Sequence, residues 1–345
     1  MSDLSLPARS GRLEWLTTQL APYRWLVLLT IALAAVSESL SAAYPGLPQK
    51  LMGSGLERIR AVFVAFMVLA IISRVLWRAF TDKPERPLLA LVSDISNPAR
   101  LVHASMTFGL YFIFMALFVE MKSAMPHVAP FGWDKAFAQA DLWLHGGRYP
   151  HEWLAFLTAS PNLMSAINIV YHLWFFVMWA ALFIAALQER HSPLRGQFLH
   201  AFFLIWVVGG LATAYGFSSA GPCYFSALGL TPDPYAGLMA QLQGHARIVY
   251  LPAMEVQGLL WQAPETGQVA GIAAFPSLHN AISLLLTLAA FRIHRSLGLA
   301  MAGFTGLIFI GSVTLGWHYA LDAYAGWAIA FLLWKFAAGR KVQLP

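Results

Sequence analysis

Long apolar stretches separated by short polar segments make up most of the chain. A helix needs about 20 apolar residues to cross the hydrocarbon core of a bilayer, and eight stretches meet this requirement. They lie at roughly 24–44, 60–80, 101–121, 162–187, 197–217, 275–294, 297–315 and 318–337. The pattern therefore predicts an all-α protein, a polytopic transmembrane helix bundle with about eight spans.

Segment 122–161 departs from this pattern. It is too polar to cross a membrane, yet it is rich in aromatic residues, namely Trp133, Phe137, Trp143, Tyr149 and Trp153. Aromatic rings are enriched where a bilayer meets water. We therefore expect helices in this segment that lie in the membrane interface.

The composition agrees with a membrane protein. Hydrophobic residues make up 59% of the chain and charged residues only 11%, which excludes an ordinary soluble domain. The net charge of +6 is spread over short loops without a long basic run, so nucleic acid is not an expected partner. The single cysteine, Cys223, excludes an internal disulfide and a multi-cysteine metal site.

The distribution of Lys and Arg predicts the orientation of the bundle. One set of loops, which includes both termini, carries 15 of the 22 Lys and Arg residues. The positive-inside rule places that set in the cytoplasm, so the two longest loops, 122–161 and 218–274, lie on the opposite face. Short cytoplasmic loops and the compact length favour a bacterial inner membrane, with that opposite face towards the periplasm.

The N-terminal part of the chain does not resemble a cleaved signal peptide. Apolar residues begin only near Trp25, and their run is long enough to span the bilayer. The simplest division is an N-terminal appendage with two spans, 1–100, and a core with six spans, 101–345.

Two short motifs near the C-terminal end carry the candidate chemistry, because each places ionisable groups at the start of a predicted span, where a functional site is the default hypothesis. His318 and Asp322 are four residues apart, so they share one helical face. A carboxylate beside an imidazole fixes its tautomer and stabilises its charged form, as a histidine nucleophile requires. A buried pair with only a structural role is the alternative.

The second motif is Phe275-Pro276-Ser277-Leu278-His279. Ser suits a helix cap and Pro a first turn, which would place His279 near a helix N-terminus, where anions bind. His279 could then donate a proton to the leaving oxygen of a phosphate ester. The alternative is an interfacial histidine beside a capping turn.

Together, the two motifs resemble the second and third signatures of the type 2 phosphatidic acid phosphatase superfamily, whose members cleave or transfer phosphate esters through a phosphohistidine without a metal. The resemblance covers roughly 125–335. It implies that His318 is the nucleophile, that Asp322 orients it, and that His279 is the general acid. It also implies no cofactor.

The chain departs from the family pattern at three points. Leu278 replaces a glycine, Ser312 stands where an arginine is usual, and the first signature, with its lysine and Arg-Pro, is not found. A phosphomonoester dianion needs several neutralising cations, whereas a phosphodiester needs fewer. Together with Asp134 and Asp141-Leu142-Trp143, these losses resemble the branch that contains fungal inositol phosphorylceramide synthase, a lipid phosphotransferase.

Other residues are candidates for contact with substrate. Arg148 is the first candidate, since a guanidinium suits phosphate oxygens. The alternative is that Arg148 is an ordinary surface charge that faces lipid headgroups. The remaining candidates are Lys135, Arg247, Ser277, His172 and Tyr171. His172 lies deep in a predicted span, where it could equally line a headgroup pocket or hydrogen-bond between helices.

The sequence thus predicts a lipid phosphotransferase that moves a phospho-headgroup from a phosphodiester lipid to an acceptor hydroxyl, with membrane lipids as donor and acceptor. A lipid or polyprenyl phosphate phosphatase with the same histidine chemistry is the alternative. A transporter whose histidines relay protons or bind zinc is a third reading, although no pair of broken helices supports it. An intramembrane protease is weaker still, because no His-Glu-x-x-His motif is present.

Overall fold

The computed structural model describes residues 9–44, 97–187, 192–262 and 271–339, together with positions 64 and 68. All regular structure within these ranges is helical. The long helices are α1 (Arg9–Leu20), α2 (Arg24–Ala43), α3 (Pro98–Val128), α4 (Asp134–Leu144), α5 (Pro161–Ala186), α6 (Pro193–Val207), α7 (Ala236–Ala246), α8 (Pro252–Gln262), α9 (Leu278–Ile293), α10 (Arg295–Thr314) and α11 (Ala320–Gly339). Shorter helical pieces are Ala21–Tyr23, Pro150–Trp153, Ala155–Thr158, Ala214–Gly216 and Pro222–Tyr224, and a π-helical segment, Val208–Thr213, continues α6.

Several of the long helices begin at a polar cap followed by proline. Ser160 accepts a hydrogen bond from the amide of Leu163 at the start of α5, and Ser192 accepts one from the amide of Arg195 at the start of α6. The serine accepts a hydrogen bond from an amide that has no acceptor within the helix. Proline is tolerated in the first turn because its missing N–H would have had no partner there. Local sequence therefore fixes where these apolar helices begin.

The predicted helical membrane bundle is confirmed, and the chain is an integral membrane protein. Within the described residues, five helices are long and apolar enough to cross a bilayer: Glu14–Ala43, Pro98–Val128, Pro161–Ala186, Pro193–Gly216 and Arg295–Thr314. Helix α9 is a shorter apolar helix, and α11 has 20 residues but does not belong to the five. The span predicted at 60–80 lies outside the described residues except for positions 64 and 68, and the division near residue 100 stays a prediction.

Helix α3 is longer than the sequence analysis predicted. It continues beyond 121 to Val128, with Pro126 inside its last turn. Met121, Ala124 and Met125 are buried, so the buried face extends into the part that was assigned to an outer segment. As a result, Lys122 belongs to a long helix and does not lie in a loop.

The core forms where α6, α9, α10 and α11 pack together, with α3 and α5 against them. Buried Phe114, Phe202, Phe203 and Leu285 are part of it. At Gly210, in the π-helical segment, an added Cβ would lie 2.7 Å from the Phe118 ring and 2.9 Å from Leu278. At this point the π-helical continuation of α6 packs directly against the start of α9.

The starts of α9 and α11 also touch directly. The amide of Ser277 donates to the carbonyl oxygen of Asp322 at 2.9 Å. An added Cβ at Gly326 would lie only 2.5 Å from the carbonyl oxygen of Ser277. The two helices that carry the candidate catalytic residues are therefore joined backbone to backbone.

Candidate active site

His318 lies in the tight turn between α10 and α11. Gly316 makes this turn with a φ of +72°, a conformation that glycine adopts at little cost. The amides of Trp317 and His318 both donate to the carbonyl oxygen of Ser312, at 3.0 and 3.1 Å. The turn therefore holds the histidine at the beginning of α11, and its side chain is buried.

Asp322 holds the ring of His318 in one orientation. Its Oδ2 lies 3.2 Å from Nδ1 of His318 and accepts the amide of Tyr319 at 3.1 Å. A carboxylate in the first turn that reaches back to the amide before the helix is a capping arrangement. The same oxygen thus caps α11 and fixes the imidazole. When Nδ1 donates its proton to Asp322, Nε2 of His318 carries the lone pair.

His279 is the second residue of α9, which Ser277 caps through a hydrogen bond from the amide of Asn280. Aromatic rings of α5 surround the imidazole. The ring of Tyr171 stacks on it with centroids 4.6 Å apart, and the indole of Trp174 lies at 4.2 Å. The indole Nε1 also donates to the carbonyl oxygen of His279 at 3.0 Å, so α5 fixes both the ring and the backbone of this residue.

The two histidines converge on one cavity of about 360 Å³. Their ring centroids are 6.3 Å apart. Reacting atoms in a productive complex are about 3–3.5 Å apart, so a phosphorus atom between the rings would be within reach of both. Residues that are 39 positions apart in the sequence thus share one site.

Lys122 is the cation of this cavity, and the sequence analysis missed it as a site residue. It is the only Lys or Arg among the described residues that line the cavity. Gly271 makes room for it, because an added Cβ there would lie 2.3 Å from Cγ of Lys122. The signal that could have found it is the helical spacing of Phe118, Met121 and Met125, which continues α3 past this lysine.

The other predicted site residues fall into two groups. Tyr171 and His172 line the cavity, and Ser277 is fully buried at the cap of α9. Lys135, Arg148 and Arg247 are exposed and are not among the residues that line the cavity. Arg148 lies instead over the ring of Trp153, at 4.7 Å.

A neutral network occupies the position where the family pattern has an arginine. Nδ2 of Asn280 donates to Oγ of Ser312 at 2.7 Å and to Oγ of Ser277 at 3.0 Å. All three side chains are fully buried, so the network adds no positive charge beside the histidines. Sequence alone could not find it, because Asn280 and Ser312 come together only in the folded bundle.

Two further carboxylates lie close to the site, next to the start of α11. Asp134 and Asp141 of α4 are both buried and both accept backbone hydrogen bonds. Burial raises the pKa of each carboxyl above its ordinary value, and the backbone hydrogen bonds act in the opposite direction. In the described ranges, no group of three or more His, Cys, Asp or Glu side chains could hold a metal ion.

An apolar helix bundle that encloses a His–Asp pair opposite a second histidine is suited to phosphoryl chemistry in a membrane. The family model of the PAP2 superfamily matches residues 135–336, more than half of the chain, and the protein belongs to that superfamily. It is therefore a membrane enzyme of the phosphatase or phosphotransferase type. Neither a curated protein nor a solved structure matches the chain at a significant level.

Proposed function

We propose that the enzyme is a metal-independent lipid phosphotransferase that works through a phosphohistidine. It moves a phospho-headgroup from a phosphodiester lipid to an acceptor hydroxyl. The observation that carries the proposal is the placement of His279 and of the His318–Asp322 pair on one cavity that holds a single described cation, Lys122.

In the first step, Nε2 of His318 attacks the phosphorus of the donor lipid. A nitrogen–phosphorus bond forms, and the bond between phosphorus and the oxygen of the departing lipid alcohol breaks. His279 gives its proton to that oxygen, while Asp322 stabilises the positive charge on His318. Positioned acid catalysis of this kind contributes about 100- to 10,000-fold to a rate.

In the second step, the acceptor hydroxyl gives its proton to His279, which now acts as a base. The hydroxyl oxygen attacks the phosphorus, the nitrogen–phosphorus bond breaks, and His318 is restored. The same sequence with water as the acceptor would be hydrolysis, which releases the headgroup ester from a diester donor and free phosphate from a monoester donor. The identity of the acceptor therefore separates transfer from hydrolysis.

The charge of the cavity favours a phosphodiester over a phosphomonoester. Lys122 can balance the single negative charge of a diester, whereas a monoester dianion would stay partly uncompensated in an apolar cavity. Val256, Leu260 and Phe175 contribute apolar wall, which suits the alkyl part of a lipid. The exposed Lys135, Arg148 and Arg247 have no part in this proposal.

The charge bias of the loops supports an orientation with both termini in the cytoplasm and the cavity on the periplasmic side of a bacterial inner membrane. The acceptor would then be a hydroxyl compound that is accessible from the outer leaflet.

The decisive experiment follows radioactive phosphate through the reaction. Purified enzyme in vesicles receives bacterial phospholipids uniformly labelled with ³²P, together with a diacylglycerol acceptor whose acyl chains are much shorter than those of the donor lipids, so that its product is a distinct lipid. A new labelled lipid that forms in proportion to the acceptor supports transfer, and free labelled phosphate or headgroup ester as the main product supports hydrolysis.

The matched variants are His318→Ala and His294→Ala. We expect the first to lose at least about 1,000-fold in rate, as an essential nucleophile should. His294 is exposed at the junction of α9 and α10, so its variant should retain normal activity. Near-normal turnover by His318→Ala would rule out the phosphohistidine.

A further inference from the structure

Helix α4 packs against α11 and directs two buried carboxylates at the residues that begin α11. Asp134 and Asp141 are seven residues apart, or two helical turns, so they share one face of α4. Each is 1% exposed. Buried carboxylates are costly unless they accept hydrogen bonds, so the groups that donate to them indicate what these residues do.

Asp141 binds the first turn of α11. Its Oδ2 accepts the amide of Ala320 at 2.7 Å, and its Oδ1 accepts the amide of Leu321 at 2.9 Å. These amides have no acceptor within the helix, and negative charge at a helix N-terminus is stabilising. Tyr319, which precedes the helix, has no side-chain group that could cap it in the usual way, and Asp141 supplies the cap from another helix.

Asp134 binds Tyr319, which precedes the same turn, and the separate loop at Gly221. Its carboxylate accepts the hydroxyl of Tyr319 at 2.9 Å and the amide of Gly221 at 2.8 Å. The neighbouring Ser219 accepts the amide of Ala274 at 2.9 Å, in the segment that leads to His279. One carboxylate therefore ties the turn after His318 to the loop that supports the other histidine.

The backbone around His318 is consequently held at every amide from 317 to 322. Three of these amides donate to carbonyl oxygens of Ser312 or Tyr319. The other three donate to carboxylates, one to Asp322 and two to Asp141. The position of His318 relative to α9 thus depends on carboxylates that are 177 and 184 residues away in sequence.

We propose that Asp141 and Asp134 are positioning residues for the reaction, which hold the turn of His318 at the attack distance from a phosphorus bound between the two histidines. The proposal rests on the proposed function. Because neither side chain lines the described cavity, they act through His318 and not on the substrate. Loss of this support should reduce kcat and leave KM nearly unchanged.

The test compares Asp141→Ala, Asp141→Asn and Asp233→Asn in the full-length enzyme with the labelled phospholipid vesicles. A displacement of about 1 Å can cost about 100-fold in rate, so we expect Asp141→Ala to lose about 100-fold in kcat. Asp141→Asn keeps one carbonyl oxygen as an acceptor and should recover about tenfold of that loss. Asp233 also accepts a backbone amide, that of Tyr235 at 2.8 Å, but has no bond to α11, so its variant should match the unmodified enzyme.

A kcat within about threefold of the Asp233→Asn control for both Asp141 variants would overturn the proposal, as would a rise in KM at constant kcat. If the Asp141 variants do not fold, as judged by thermal unfolding in detergent, the Tyr319→Phe variant tests the proposal in their place. It removes only the hydroxyl that donates to Asp134 and should lower kcat several-fold, and an unchanged kcat would overturn the proposal. Normal activity of His318→Ala would instead defeat the proposed function itself.

Discussion

His318 and His279 are the same kind of residue, their rings are 6.3 Å apart, and yet their surroundings have little in common. Hydrogen bonds surround His318: a carboxylate on its ring and acceptors on the neighbouring amides. Aromatic rings surround His279, with Tyr171 stacked on the imidazole and Trp174 beside it. In the proposed reaction the Asp322 carboxylate would stabilise the positive charge that develops on His318, whereas the rings around His279 fix its geometry without adding a counter-charge.

Under the proposed function, the two environments would suit one side-chain type to two different roles. A nucleophile that forms a phosphoimidazolium needs a permanent negative neighbour. A proton donor and acceptor must instead change its charge twice in each cycle, and a fixed counter-ion would favour one of its two states. The environments of the two histidines match these requirements.

The largest expected effect separates the two roles by the leaving group. His279→Ala should lose about 1,000-fold with a lipid alcohol as the leaving group, since an alkoxide departs poorly without a proton. With a p-nitrophenyl phosphodiester, whose phenolate leaves unaided, that loss should shrink to about tenfold or less. His318→Ala should remain inactive with both substrates, and steady-state assays of the two variants with both substrates provide the check. Equal behaviour of the two variants would show that the histidines do not differ in role.

A smaller effect concerns Lys122, which lines the cavity that both histidines share. Lys122→Met should lower kcat/KM by about 10- to 100-fold, the value of one charge-assisted hydrogen bond. Because the lysine acts on the phosphate and not on the leaving group, the loss should be the same for the lipid and the p-nitrophenyl substrate. Lys135→Met is the matched control, since Lys135 is exposed on α4. A larger fall in kcat/KM for Lys135→Met than for Lys122→Met would restore the exposed Lys135, Arg148 and Arg247 as candidate substrate contacts.

The smallest effect concerns the aromatic side of the site. Trp174→Phe keeps a ring against His279 but removes the hydrogen bond from the indole Nε1 to the His279 carbonyl oxygen. One neutral hydrogen bond corresponds to a loss of about two- to tenfold. The loss should appear with the lipid substrate and disappear with the p-nitrophenyl substrate, because only the first needs the proton from His279. Trp153→Phe, in an exposed position outside the site, should have no effect on either rate.

The sequence predicted those parts of the structure that depend on local patterns. Long apolar segments must form helices in a bilayer, because lipid offers no hydrogen-bond partners for backbone amides. The four-residue spacing predicted that His318 and Asp322 meet, and they form a hydrogen-bonded pair, although His318 lies in the turn before α11 and not on the helix itself. A serine after a proline predicted the cap at the start of α9, and Ser277 accepts that hydrogen bond.

The cation of the cavity could not be predicted in the same way. Arg148 was chosen for its chemistry and for the face on which its loop lies, but neither property reports which side chain is buried. The predicted span 101–121 ends one residue before Lys122, which puts that lysine in a loop, whereas the helix continues through Pro126. The network of Asn280 and Ser312 and the bonds from α4 to α11 join distant parts of the sequence, so only the packed bundle brings them together.

The direct backbone contact at Ser277, Asp322 and Gly326 joins the beginnings of α9 and α11. Thicker or thinner bilayers change the tilt of the helices within them, but two helices joined by such a contact should tilt together. The separation of the histidines would then be independent of lipid thickness. A change in bilayer thickness would then alter the other walls of the cavity, and with them the path by which lipids enter and leave.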